Sequence, residues 1–386
     1  LKKIVKDPVS VGSFRAYGTA NLVNLINEMG AYPTRNFLEE VFEGAEATSG
    51  EAIAEKILVR NRACFACPIA CTRISEVKEG PYKGRGEGPE YETTWSFGAL
   101  CGVSNLEAIA KANFLCRDYG IDSMSAGSTV ACAMELFEKG YIPQSDIGFP
   151  LRFGDADAMI RATVMMGERD GDFGALMADG SYRLAEHYGH LEMFMGVKKL
   201  EMAAYSPRVF QGMALHYATS NRGACHVRGN TVAAELYGIP KYVPPDVLEG
   251  KEELVRRPFQ NSTAFVDSSG ICLFTKFAIT HREIVAMMAA ATGIDFTFDK
   301  SIAQGDRIWN LERLFNLRAG FTAADDTLPA RLMEPVSGGP RKGSRAQLHE
   351  HLQTYYQLRG WDERGVPTKE KLSELGLEDV WGVVGQ

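Results

Sequence analysis

"SNLEAIAKANFLCRDYGIDSMSAGSTVACAMELFEKG", residues 104–140, carries the pattern that decides the fold. Ser104 precedes Glu107 by three positions, the spacing of a capping box, and Leu106, Ile109, Ala110 and Phe114 then recur at helical intervals. Gly120 ends that run. A second run follows and stops at Gly140. Working outward, further amphipathic stretches lie near 19–29, 51–62, 155–167, 181–188, 281–292, 307–317 and 345–358. Alternating period-two runs are few and short, so the expected fold is mainly α, with at most a few small strands. Glycine, proline and charge punctuate the chain at "EGPYKGRGEGPE" (79–90), "GERDGDFG" (167–174) and "EPVSGGPRKGSR" (334–345), which read as a loop, a turn-rich stretch and an exposed segment. A domain boundary is placed between 196 and 197, where a new group of elements begins.

The composition is that of an ordinary globular protein of 386 residues, 45% hydrophobic and 24% charged. A net charge of −7 offers nothing to phosphates, which argues against nucleic-acid binding. The longest apolar run, "EIVAMMAAATGI" at 283–294, falls short of the roughly 20 residues that span a bilayer. The opening "LKKIVKDPVS" reads as an entry in mid-protein, without an export signal, and the free cysteines then imply a reducing cytoplasm.

"ACFACPIACTR" (63–73) puts Cys64, Cys67 and Cys71 within eight positions. With 8 cysteines in the chain, a disulfide framework is not the expectation. Three thiolates on a tight turn suit an iron–sulfur cluster completed by one distant ligand. Zinc more often takes paired C-x2-C units or Cys/His pairs, and three core thiols remain the bland alternative. The fourth ligand would come from Cys101, Cys116, Cys132, Cys225 or Cys272. Cys116 and Cys132 fall inside apolar helical patterns, as buried small hydrophobes do. Cys272 lies in a glycine-containing turn, free to meet a cofactor.

Seven stretches occur in the order "GAYPTRNF" (30–37), "CFACPIAC" (64–71), "GPEYET" (88–93), "YGIDSMSAG" (119–127), "ATSNRGACHVRG" (218–229), "DSSGIC" (267–272) and "RLFNLRAGFT" (313–322). With the tail "LRGWDERGVPTKEKLSELGL" (358–377), this set strongly resembles the tungsten-dependent aldehyde:ferredoxin oxidoreductase family over essentially the whole chain. The resemblance implies a multihelical array of two α domains, 1–196 and 197–386, without the family's β-rich N-terminal pterin-binding domain. It implies that Cys64, Cys67, Cys71 and Cys272 ligate a [4Fe–4S] cluster. It further implies a tungsten (or molybdenum) ion held by two pterins, with magnesium bridging their phosphates.

The family's two pterin motifs map onto Asp118, Gly120, Ile121 and Asp122, with Arg117 in the leading acid position, and onto Asp267, Gly270, Ile271 and Cys272. Glycine permits close backbone approach, and carboxylates accept hydrogen bonds from an N–H-rich ring. His226 is the one histidine in a glycine-punctuated, family-like segment, suited to hydrogen-bond a substrate carbonyl and relay a proton. Alone, such a histidine is more often structural. Glu90 and Glu92 are the candidate general bases, with Glu90 slightly preferred, and two solvated carboxylates are the bland alternative. Arg222 and Arg228 either steady a carboxylate product or pterin phosphate or play ordinary surface roles; the six other histidines, without motif context, read as structural or exposed.

The implied activity is oxidation of a small aldehyde to a carboxylate in an anaerobic setting, with electrons leaving to ferredoxin or an iron–sulfur electron-transfer subunit, in an enzyme that admits a homodimer. Within the family, a subunit reducing an aromatic acyl-CoA of the benzoyl-CoA type is a second expectation. From another class comes a non-catalytic helical interaction protein stapled by zinc or a cluster. The chain alone is expected to be inactive.

Overall fold

The structure is a computed structural model that describes residues 8–381. Helices dominate, and among the described residues the strands form a three-stranded sheet and a two-stranded hairpin. The chain divides into two compact units, one running to Ser206 and including Pro329–Gly343, the other formed by Pro207–Leu328 and the residues from Ser344 on.

In the first unit, strands β1 (Leu58–Arg62), β2 (Thr72–Val77) and β3 (Gly84–Glu87) form an antiparallel meander, with Arg60 opposite Ile74 and Glu87 opposite Ile74. Two expectations change here. The helical stretch expected over 51–62 is a helix only at Gly50–Lys56 and then becomes β1. The segment 79–90, expected to be all loop, contains β3. Its glycines serve the sheet, because Phe114 lies against it: a Cβ on Gly84 or Gly86 would stand 2.9 or 2.6 Å from that ring. Burying such a phenyl stabilises by roughly 1.5–3 kcal/mol, and only a bare strand face lets it approach so closely.

The helices α1 (Tyr91–Phe97), α2 (Leu106–Tyr119), α3 (Ser123–Glu138), α4 (Ala156–Glu168), α5 (Gly171–Ala178) and α6 (Ser181–His187) follow. Leu106, Ile109, Ala110 and Phe114 are buried, as their spacing predicts. The cap of α2 is Asn105, whose Oδ1 accepts from Ala108 N at 3.1 Å, rather than Ser104. An Asx side chain one residue later reaches the third helical N–H and satisfies it. At the other end, Gly120 takes φ 70° and Ile121 N donates to Cys116 O at 2.9 Å, a Schellman-type stop. Asp122 then caps α3 through Oδ1, 2.8 Å from Ser125 N. Gly127 of α3 meets α1 closely; a Cβ there would lie 2.5 Å from Ser96 Oγ. In 167–174, the turn is confined to Arg169 and Asp170, between α4 and α5.

The division between the units falls at Ser206/Pro207 instead of 196/197. Strands β4 (Gly196–Val197) and β5 (Leu200–Glu201) pair within the first unit, and Glu201 Oε1 accepts from both Ser181 N (3.0 Å) and Ser181 Oγ (2.8 Å). The later segment Pro329–Gly343 is tied in by two arginines. Arg331 Nη2 meets Glu135 Oε1 at 2.6 Å, and Arg341 Nε donates to Met29 O at 2.7 Å. Ion pairs and hydrogen bonds over such sequence distances carry no local signal.

The second unit is built on α7 (Gln211–Thr219), α8 (Ser262–Ser268), α9 (His281–Thr292), α10 (Phe298–Arg318) and α11 (His349–Arg359). Phe265, Val266, Ile284 and Val285 make one apolar cluster. A buried ionic group joins α10 and α11: Asp306 lies 2.8 Å from Arg359 Nη1 and 2.7 Å from Lys371 Nζ.

Candidate functional site

Cys64, Cys67 and Cys71 sit on the loop between β1 and β2, and none of the eight cysteines forms a disulfide. The loop turns twice. Ala66 (φ 54°) and Ala70 (φ 55°) are left-handed, each immediately before a cysteine, and Cys67 N donates to Cys64 O at 3.0 Å. Alanine pays for that conformation, and strain of this kind collects at functional sites. Arg73 holds the loop from beneath. Its guanidinium is buried and donates to the carbonyls of Ala70 (3.3 Å), Thr72 (3.2 Å), Phe14 (2.7 Å) and Arg15 (2.8 Å). Burial pulls its pKa down, while the nearby Glu90 and Cys71 push it up. Cys64 is exposed and the other two half-buried, so the donor set remains accessible. Among the described residues, no three His, Cys, Asp or Glu side chains already converge as a metal-ligand group.

Glu90 and Glu92 take different environments. Glu90 caps α1, and its Oε2 accepts from Thr19 Oγ1 at 2.5 Å; burial raises its pKa, opposed by Thr19 and Arg73. Glu92 goes further. Its Oε2 accepts from Ala204 N at 3.0 Å, and burial drives its pKa from 4.5 to about 8, with Asp122 adding to the rise. The neighbouring Tyr91 donates its hydroxyl to the carbonyl of the same Ala204 at 2.9 Å, and its ring lies 6.0 Å from that of Tyr32 and 5.5 Å from that of Tyr205. Both backbone groups of one residue therefore register the "EYET" segment. Of the two candidate carboxyls, Glu92 is therefore the more strongly desolvated.

The two motif glycines share one geometry. Gly120 follows α2 with φ 70°, and Gly270 follows α8 with φ 71°; both are exposed. A Cβ on either would meet nothing within 4 Å, so the left-handed backbone, not crowding, calls for glycine. Asp118 lies exposed on the last turn of α2, and Arg117 reaches back to Glu87 Oε2 at 3.3 Å. Ile121 and Ile271 are half-buried anchors, Ile271 packing on the Phe265 cluster. Cys272 is exposed at the start of the turn Leu273–Phe277, its carbonyl accepting from Thr275 Oγ1 at 2.7 Å.

His226 is half-buried at the start of the turn Val227–Gly229 in the second unit. Arg228, which adjoins it, is not a surface residue. Nη1 lies 2.6 Å from Glu312 Oε1, Nε lies 3.4 Å from Asp267 Oδ2, and the guanidinium stands 5.8 Å from the Trp309 ring centroid. This links the His226 turn to the second motif's acid. Arg222 is exposed. Tyr32 and Arg73 lie within quoted stretches without an assigned role, and Ala204 lies outside them all; only the adjacency of Tyr91 to Glu92 hinted at a shared anchor.

The ordered stretches and the mainly helical architecture define the class, a multihelical protein of two compact units. The family model described as "Aldehyde ferredoxin oxidoreductase, domains 2 & 3" matches residues 1–377, and the chain belongs to this family. It is 48% identical over 386 residues to the tungsten-containing aldehyde ferredoxin oxidoreductase of Pyrococcus horikoshii, and 47% identical to that of Pyrococcus furiosus. These alignments cover 98% and 99% of the chain but 63% of each relative. The "Aliphatic sulfonate oxidoreductase, WOR-like subunit" of Pyrococcus furiosus is 28% identical over 98% of the chain and 60% of that relative. The active site complex BamBC of benzoyl coenzyme A reductase shares the fold, with a TM-score of 0.72 at 21% identity, over 93% of this chain and 60% of that one. Among the described residues, no helix is long and apolar enough to cross a membrane.

Proposed function

We propose that the chain serves a tungsten-dependent oxidoreductase that converts aldehydes to carboxylic acids and passes electrons through a [4Fe–4S] cluster to ferredoxin or an electron-transfer subunit. The observation that carries this reading is the family match over residues 1–377, within which Glu92 is a buried carboxyl with its pKa raised to about 8. Aldehyde plus water yields acid, two protons and two electrons, and a group poised near neutrality can take a proton from water and release it again. His226 contributes a hydrogen bond to the substrate carbonyl oxygen.

The residues fit the cofactors. Three cysteines on one strained, accessible loop suit an iron–sulfur cluster, and Cys272 is the fourth ligand that the family resemblance supplies. The carboxylates of Asp122 and Asp267, beside open left-handed glycines, suit an N–H-rich pterin; Asp118 and the half-buried Ile121 and Ile271 complete the two motifs. The tungsten bis-pterin supplies the two-electron acceptor when bound.

The test is elemental analysis of Fe, Zn, W and Mo per chain, on enzyme purified without oxygen, together with benzaldehyde-driven dye reduction. Near four irons with tungsten and turnover supports the proposal. One zinc with no iron and no turnover defeats it, and turnover only of benzoyl-CoA with a strong reductant redirects it.

A further inference from the structure

A histidine outside every motif lies under the turn that carries His226. His216, on α7, is fully buried. Its Nε2 lies 2.8 Å from the carbonyl oxygen of Cys225, the peptide partner of His226. At the other end of the turn, Gly229 backs onto the same ring, where a Cβ would fall 2.4 Å from Nδ1. One imidazole thus touches both ends of the 225–229 segment.

The direction of its bonds to Gln260 and to the Cys225 carbonyl follows from Arg359, which can only donate. Arg359 Nη2 lies 2.6 Å from Gln260 Oε1, and Tyr355 Oη donates to that oxygen at 2.6 Å. Gln260 must therefore present its Nε2 to Thr219 Oγ1 at 3.1 Å and to His216 Nδ1 at 3.2 Å. An N–H facing Nδ1 requires a lone pair there. The ring proton belongs on Nε2, where the Cys225 carbonyl accepts it. Gln260, Tyr355 and Arg359 are all fully buried, so water cannot reverse this polarity.

We infer that His216 is a positioning residue for His226, a neutral Nε2–H donor locked by Gln260 and Arg359. The inference rests on the reading of His226 as the residue that meets substrate. A side chain present only to fill volume would be replaceable by leucine. A positioning residue is not, because a displacement of about 1 Å at a reacting group can cost on the order of 10²-fold in rate.

The experiment uses the full-length, cofactor-loaded enzyme under anaerobic conditions and compares His216→Leu, His216→Gln and Gln260→Glu. His216→Leu is expected to lower kcat by roughly 10- to 100-fold at unchanged tungsten and iron content. Amide exchange across residues 225–229 should quicken about tenfold or more. His216→Gln keeps an N–H at the position of Nε2 and should recover both properties to within about threefold of the parent. Nitrogen-15 spectra of labelled histidine should show His216 Nδ1 unprotonated in the parent and protonated in Gln260→Glu, whose carboxylate calls for a donor.

Parental exchange and turnover in His216→Leu would overturn the inference. So would a His216→Gln as damaged as the leucine variant, or a protonated Nδ1 in the parent. His226→Gln separates this from the catalytic reading. Full activity in that variant removes His226 from the chemistry, while the exchange data still decide whether His216 holds the turn.

Discussion

Replacing Glu92 by glutamine should make the first unit more stable, by an amount that depends on pH. The carboxyl is buried, with its pKa raised from 4.5 to about 8. Between those values the native state holds a proton that the unfolded chain has released, so the free energy of unfolding falls as pH rises. The stabilisation from the protonated carboxyl is complete below about 4.5 and gone above about 8. At ~1.4 kcal/mol per tenfold change in acidity, the ceiling is about 5 kcal/mol, and roughly 3 kcal/mol is already lost at pH 7.

Glutamine keeps an oxygen for the Ala204 N–H, now 3.0 Å from Glu92 Oε2, and cannot ionise. The assay is urea unfolding of the cofactor-free chain and of Glu92→Gln, followed by circular dichroism from pH 4 to 9. The difference between the two should be constant below pH 4.5, widen in the variant's favour up to pH 8, and level off. Parallel curves through that window, or a parent that gains stability with pH relative to the variant, would refute the argument from burial. The same substitution should abolish turnover in the loaded enzyme, because the amide cannot accept a proton.

Gly86→Ala should destabilise by about 1–3 kcal/mol in urea unfolding, because the new methyl would stand 2.6 Å from Phe114; Phe114→Leu in the same chain should recover part of the loss. Arg359→Met should cost about 3–5 kcal/mol by the same measurement, since it removes a 2.8 Å partner of the buried Asp306, whose pKa the surrounding cations hold down. Cys64→Ser should lower the iron bound per chain after anaerobic reconstitution, as should Cys272→Ser, whereas Cys132→Ser, at a buried helical position, should leave it unchanged.

Much of the helical layout is periodic and therefore local. The buried positions of α2, its stop at Gly120 and the capping of α3 by Asp122 are decided within a few residues. Where neighbours intervene, local pattern misleads. The glycines of 79–90 read as breakers until Phe114, from another element, is seen to need a bare strand. Likewise, 51–62 is half helix because Leu58–Arg62 finds β2 to pair with.

The sequence by itself determined the family, the mainly helical class and the residue types gathered for chemistry, because ordered motifs and periodicity are properties of the chain alone. Only the tertiary structure decided what each residue experiences. Spacing does not show that Glu92 is desolvated and Glu90 less so, or that Arg228 is clamped between Asp267 and Glu312. Nor does it show that His216 lies beneath the His226 turn. Burial and hydrogen-bond polarity depend on partners about a hundred residues away in the chain or more, such as Ala204 for Glu92 and Arg359 for Gln260. Those partners set the local dielectric and the direction of each proton, and both exist only once the chain has packed.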